Sequence, residues 1–206
     1  MATKLLQRYN ERERMNHWFV VLMFVLAALS GLAFFHPSLF FLTNLFGGGA
    51  WARILHPFAG LVMVLSFAGM FIRYWRENVI SDSDREWKKH MGEMMRGDKS
   101  RMPPVGKYNY GQKLVFWIAA LSLAVLLVTG FMFWRPWFAP FFPISLMRVA
   151  VLLHSIAAVA LIASIIVHVY AAIWVKGTVR AMTRGTVSDE WAKANHPLWR
   201  EEVNKR

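Results

Sequence analysis

The chain of 206 residues contains no cysteine. Iron–sulfur clusters, thiolate-ligated haem, covalently attached c-type haem and disulfides are therefore excluded within it, and any redox centre it holds must rest on histidine or methionine. Acidic residues are scarce, 12 Asp and Glu against 24 Lys and Arg, and none falls inside the long apolar stretches. Nor do paired glycines or prolines interrupt those stretches near their middles. The broken, charge-lined helices of a secondary transporter are absent from this pattern.

Apolar residues, by contrast, make up 56% of the chain and aromatic residues 15%, with a mean hydropathy of +0.34. Four segments are long and apolar enough to cross a bilayer, at about 17–35, 54–75, 114–134 and 147–174. We expect an all-α fold, an integral membrane four-helix bundle forming a single transmembrane domain over 1–206. The basic residues before the first run are not followed by a small-residue cleavage site, so that run reads as a retained span. Trp18, Trp51, Trp75, Trp117, Trp134, Trp137 and Trp174 stand near the expected span ends, as an aromatic belt requires.

A formal charge of +12 and a pI near 10.5 would suit a nucleic-acid binder if the charges were dispersed. They are segregated by loop. Lys4, Arg8, Arg12 and Arg14 precede the first span, ten basic residues lie in and beside the 76–113 loop, and seven more lie in the 176–206 tail. Only Arg53, Arg135 and Arg148 fall on the opposite side. The positive-inside bias puts both termini and the central loop in the cytoplasm, and the basic charge then serves topology and the lipid surface, with no nucleic-acid partner. The two outer connections are short, one rich in Phe and Gly, the other carrying Pro136, Pro140 and Pro143.

That topology sorts the seven histidines. His17 opens the first span from the inside, and His56 opens the second from the outside. His154 and His168 lie fourteen residues apart in the last span, which is ~21 Å along a helix and within about 40° of one face. Depth therefore pairs His56 with His154 near the outer edge and His17 with His168 near the inner edge. Two opposed imidazoles at each of two depths match the axial positions of two b-type haems, the porphyrin supplying the four in-plane nitrogens. Ionisable groups at such positions are functional by default. His36, His90 and His196 have no depth-matched partner, and a hydrogen bond to a nearby carbonyl accounts for them best. Gly31, fourteen residues after His17, could admit a porphyrin plane, as could Gly60 and Gly130, although close helix packing explains all three nearly as well. Pro57, directly after His56, is expected to start or kink the second helix. Arg53 and Arg148, two of the three outer basic residues, are candidates for haem propionates or for the surface of a partner.

Several stretches carry a resemblance to a known family: ERMNHW around His17, RILHPF around His56, VGKYNYGQK ending at Lys113, TGFMFWRPWFAP beginning at Thr129, LLHS around His154, IVHVYAAIWVKG around His168, and the tail WAKANHPLWR. The chain resembles the gamma subunit of membrane-bound respiratory formate dehydrogenase, a dihaem cytochrome b, over nearly its whole length. The resemblance implies haem ligation by His17, His56, His154 and His168, in the pairing that depth suggests. It also implies a menaquinone or ubiquinone site at Asn109, Gly111 and Gln112, close to His168 and Ala171. The implied partners are an iron–sulfur beta subunit and a molybdenum or tungsten alpha subunit that oxidises formate, at the bacterial inner membrane. From the residues alone, YNYGQ reads equally as a turn before a helix. The bundle chemistry alone also leaves open the cytochrome b subunit of a nickel–iron hydrogenase or another oxidoreductase, and a redox-inactive membrane anchor.

Overall fold

The computed structural model describes residues 4–98, 100–135 and 137–205. Lys99, Pro136 and Arg206, counted above among the loop and tail residues, lie outside the described residues. Four long apolar helices dominate the chain: α1 (Glu11–Phe35), α2 (Gly49–Tyr74), and two more that follow the central loop. The loop carries the short helices α3 (Asp82–Lys89) and α4 (Met91–Met95). The third and fourth long helices are α5 (Tyr110–Met132) and α6 (Ile144–Trp174). The fold is all-α and that of a membrane helical bundle. Large apolar side chains such as Leu65, Ile72, Leu121, Ile166 and Ile173 point outward along these helices. In water such a surface would aggregate, whereas in hydrocarbon it is solvated and every helical backbone group is satisfied within its own segment.

Each long helix begins a few residues before the apolar run that marks it, and in α1 and α5 those residues are polar ones that serve well in a first turn. In α1, Asn10 and Glu13 cap reciprocally, Glu13 N donating to Asn10 Oδ1 at 2.9 Å and Asn10 N to Glu13 Oε2 at 2.8 Å. Of the two roles expected of Pro57, starting the second helix is ruled out: α2 starts at Gly49, and Pro57 lies inside it one residue past His56. A proline interrupts a helix by removing one N–H, and that loss falls here on the carbonyl of Arg53, four residues back, near the end of the apolar run.

The chain divides into two compact units. The apolar unit comprises Met15–Ile72 and Ile118–Ile166. Small residues line its helix contacts, with Ala27, Ser30, Ala33, Ala52, Ala119, Ala150 and Ala157 buried, as close approach of helices in lipid requires. A polar tie inside it runs from Asn16 Nδ2 to the carbonyl of Ser66 at 3.0 Å. Aromatic rings gather around Trp134, with Phe58 at 5.3 Å and Phe131 at 5.8 Å between centroids. A 3-10 helix, Pro37–Phe46, follows α1, and His36 caps it by accepting from Ser38 N at 3.2 Å.

The polar unit comprises Met1–Arg14, Arg73–Trp117 and Val167–Arg206. It contains an element that helical patterning does not announce, a two-stranded antiparallel ribbon of β1 (Leu5–Gln7) and β2 (Thr186–Ser188), with Leu6 opposite Val187. Between α7 (Thr178–Thr183) and β2 stands Gly185 at φ 79°. Its carbonyl accepts from Arg8 N and Tyr9 N, and a Cβ there would collide with the carbonyl of Tyr9, so only glycine closes this ribbon. Beyond β2 come α8 (Asp189–Asn195) and α9 (Pro197–Asn204). The Arg200 guanidinium grips the Asp189 carboxylate through two bonds of 2.8 and 2.6 Å and ties one helix to the other. On the loop side, Ser81 caps α3 and Asp84 accepts from Lys113 Nζ at 2.6 Å. Burial pushes the Asp84 carboxyl up, but the bonds from Lys113 and Ser81 together outweigh it and hold it below the usual carboxylate range.

Candidate haem site

His56 on α2 and His154 on α6 face each other within the apolar unit, their ring centroids 6.2 Å apart. Each ring is held from behind by a hydroxyl on a neighbouring helix. His56 Nδ1 lies 3.0 Å from Ser30 Oγ and 3.1 Å from the carbonyl of Ala27. His154 Nδ1 lies 2.9 Å from Thr129 Oγ1.

The direction of these bonds follows from what the hydroxyls do with their own protons. Ser30 Oγ donates to the Leu26 carbonyl at 2.6 Å, and Thr129 Oγ1 to the Val125 carbonyl at 2.6 Å. Each hydroxyl is then left with lone pairs to offer, so each histidine donates from Nδ1. In both rings the proton sits on Nδ1 and Nε2 keeps its lone pair, the state in which imidazole ligates a metal.

Next to each hydroxyl is a glycine that makes room for the ring. A Cβ on Gly31 would stand 3.0 Å from His56 Cε1, and one on Gly130 would stand 3.4 Å from His154 Cε1. The space at Gly31 and Gly130 is thus filled by the histidine rings themselves. Gly60 meets nothing within 4 Å. Ser30–Gly31 on α1 and Thr129–Gly130 on α5 are parallel devices, one for each histidine. The glycines stand out in the sequence, whereas the hydroxyls are signalled there only by a Ser-Gly and a Thr-Gly step in otherwise apolar spans.

This donor set fits a haem. Two imidazoles sharing one metal at roughly 2 Å each, with ring centres set about an ångström further back, stand about 6 Å apart. Two imidazoles alone leave a transition-metal sphere incomplete, and among the described residues no group of three or more His, Cys, Asp or Glu gathers to complete it. A porphyrin supplies the missing in-plane nitrogens and leaves two axial positions for the rings.

The remaining residues singled out by the sequence lie as follows. His17 is in the apolar unit, its ring edge-on to Trp18 at 5.4 Å. His168, half-buried on α6, is in the polar unit. Asn109, Gly111 and Gln112 stand at the start of α5, also in the polar unit. Asn109 and Gln112 form a reciprocal cap: Gln112 N donates to Asn109 Oδ1 at 2.9 Å, and Asn109 N donates to Gln112 Oε1 at 3.0 Å. The cap consumes the amide oxygens and leaves the amide N–H groups as what the pair can offer a ligand. Trp87 packs over this turn, 6.0 Å from Tyr110 between ring centroids. Burial and the neighbouring Tyr9 push the Tyr108 phenol well above its usual range, so it remains protonated. Arg53 and Arg148 are both exposed, Arg53 with its guanidinium 5.8 Å from the centre of the Phe34 ring.

A four-span apolar bundle with two Nδ1-anchored imidazoles opposed across it is a membrane cytochrome of the b type. The chain belongs to the prokaryotic cytochrome b561 family, whose model matches residues 8–185, and with it to the formate dehydrogenase cytochrome b subunits. It is 50% identical over 198 residues to the formate dehydrogenase cytochrome b556(fdo) subunit of Escherichia coli K12, covering 96% of this chain and 93% of that one. The nitrate-inducible formate dehydrogenase cytochrome b556(Fdn) subunit of the same organism is 42% identical over 203 residues, 98% and 94% of the two chains. The formate dehydrogenase cytochrome b556 subunit of Haemophilus influenzae is 41% identical, covering 95% and 83%. Family membership makes haem b the cofactor and electron transport the role.

Proposed function

We propose that this chain is the membrane arm of a respiratory formate dehydrogenase, carrying electrons from an iron–sulfur subunit to quinone on the cytoplasmic side of the bacterial inner membrane. The observation that carries the reading is the His56–His154 pair, 6.2 Å apart with both Nδ1 atoms held by hydroxyls. These two histidines would hold the outer haem, and His17 and His168 the inner one. The haems supply a relay that takes one electron at a time. Ser30 and Thr129 orient the outer rings and, by accepting from Nδ1, raise the basicity of Nε2.

Formate oxidation on a molybdenum or tungsten alpha subunit releases carbon dioxide, a proton and two electrons. Quinone takes up those two electrons with two protons to form quinol. Asn109 and Gln112, with Gly111 between them and His168 nearby, would bind menaquinone or ubiquinone, the amide N–H groups donating to a quinone carbonyl while cytoplasmic water provides the protons. With both termini inside, electron transfer runs against an inside-negative potential, at ~2.3 kcal/mol per electron per 100 mV for a full crossing. Proton release outside and uptake inside then build a proton-motive force. The relatives named for formate dehydrogenase favour formate over hydrogen as the ultimate donor. Arg53 and Arg148, exposed at the outer ends of α2 and α6, are suited to haem propionates or the iron–sulfur partner.

Pyridine haemochrome assay of the purified complex tests the scheme, with two haems b per chain expected. A value of one would remove the inner pair. Neutral substitution of both arginines should lower the outer haem potential or weaken assembly, and no change in either would return them to lipid contact.

A further inference from the structure

Three consecutive carbonyls lie just ahead of Tyr108 and Asn109, and each accepts a hydrogen bond from a distant part of the polar unit. The Val105 carbonyl accepts from Leu198 N at 3.2 Å. The Gly106 carbonyl accepts from His196 Nδ1 at 2.8 Å. The Lys107 carbonyl accepts from Arg8 Nη2. Two of the donors belong to the C-terminal tail and one to the N-terminal arm, which the β1–β2 ribbon joins.

His196 is the centre of this arrangement. It is 2% exposed, and its ring lies 5.0 Å from that of Trp191. With Nδ1 donating to Gly106, its Nε2 keeps a lone pair and faces Arg8 Nη2 at 3.4 Å. The Arg8 guanidinium is in turn stacked 4.7 Å from the Trp199 ring centre and 5.1 Å from that of Trp191. Lys107 Nζ pairs with Glu77 at 2.9 Å, and Tyr108 Oη bonds Tyr9 Oη at 3.2 Å. Residues 102–106 have no repeating structure of their own, so their path is set from outside. The path ends on Asn109, whose cap with Gln112 fixes where both amide groups point.

We propose that the tail and the N-terminal arm form a clamp that positions the quinone site, with His196 as its central positioning residue and Arg8 as its second. The inference rests on the placement of quinone at Asn109 and Gln112. Neither His196 nor Arg8 needs to touch quinone. They set the backbone from Val105 to Lys107, and through it the direction of two amide donors. Loss of the clamp therefore weakens quinone binding without removing haem or the chemistry of reduction.

The test uses the intact complex in membranes, reading haem content, haem reduction by formate, and KM and kcat for a soluble short-chain naphthoquinone. His196→Ala and Arg8→Met are expected to raise KM about ten-fold, the loss of one or two hydrogen bonds, with kcat and haem content little changed. His196→Asn, whose side-chain amide can still donate to Gly106, should recover most of the affinity. If His196→Ala does not assemble, Arg8→Met and His196→Asn decide. A normal KM in the clamp variants beside a raised KM in Gln112→Ala would overturn the clamp alone. A normal KM in all, Gln112→Ala included, would remove the quinone site from this loop and the clamp with it. Joint loss of haem and activity with no rescue by asparagine would reduce His196 to a general stabiliser.

Discussion

The apolar and polar units solve the same problem, holding a few side chains in fixed directions, by opposite means. In the apolar unit the backbone is already satisfied inside long helices, so orientation comes from very little: one hydroxyl and one glycine beside each of His56 and His154. In the polar unit the segments around Asn109 are short or irregular, and orientation comes from a dense set of side-chain bonds to backbone, drawn from both ends of the chain. A site within lipid is therefore vulnerable at single atoms. A site at the aqueous edge is vulnerable at many residues, each mattering less.

That contrast breaks most sharply at the ligands. His56→Ala or His154→Ala should each take the chain from two haems to one, losing the same outer haem, while His17→Ala or His168→Ala should lose the inner one. Redox titration by optical spectroscopy identifies which component disappears, and grouping of His17 with His56 would refute the depth pairing.

Next in size is Asn109, where cap and ligand can be separated. Asn109→Asp keeps an oxygen for Gln112 N but loses the amide donor, so α5 should stay capped while haem reoxidation by quinone slows at least ten-fold. Asn109→Ala loses both and should add about 1 kcal/mol of destabilisation. Stopped-flow reoxidation beside thermal melting separates the two, and equal quinone rates in wild type and Asn109→Asp would assign the residue to capping alone.

The two glycines offer a finer comparison within the apolar unit. Gly31→Ala puts a methyl 3.0 Å from the His56 ring, tight enough to cost roughly 1–3 kcal/mol of overpacking. Gly130→Ala, at 3.4 Å from His154, should cost well below that. Outer-haem retention during detergent washing should fall for Gly31→Ala before it falls for Gly130→Ala, and the reverse order would mean that the rings are not fixed by these contacts.

The smallest effect concerns the Asp84–Lys113 pair in the polar unit. Because the Asp84 carboxyl is held below its usual value of 3.8, its contribution to stability is present above that pH and lost as pH falls through the depressed value. The melting-temperature gap between wild type and Asp84→Asn should accordingly be constant from pH 7 to about 5 and narrow below about 4. A gap independent of pH would mean that Asp84 acts through packing and not through its charge.

What the sequence alone determined follows from short-range physics. Runs of apolar residues long enough to span hydrocarbon permit one backbone solution, and the four helices appear where those runs are, each extending a few residues ahead of its run. Family motifs spread over the whole chain made its class legible, and fixed spacing along one helix made the relation of His154 to His168 legible. Depth arithmetic likewise pairs His56 with His154, whose ring centroids lie 6.2 Å apart in the apolar unit with the ring planes inclined at 64°. Tertiary structure decided what depends on contacts between residues far apart in the chain. No periodicity reveals that Leu5–Gln7 finds Thr186–Ser188, since each strand is too short to carry a pattern and each is stable only once the other is present. Nor could spacing say that Ser30 and Thr129 would stand behind two histidines, or that His196, read as a histidine bonded to a neighbouring carbonyl, would find that carbonyl at Gly106. A hydroxyl or imidazole has many possible partners in an unfolded chain, and only the packed helices and the tail bring one within hydrogen-bonding distance and exclude the rest.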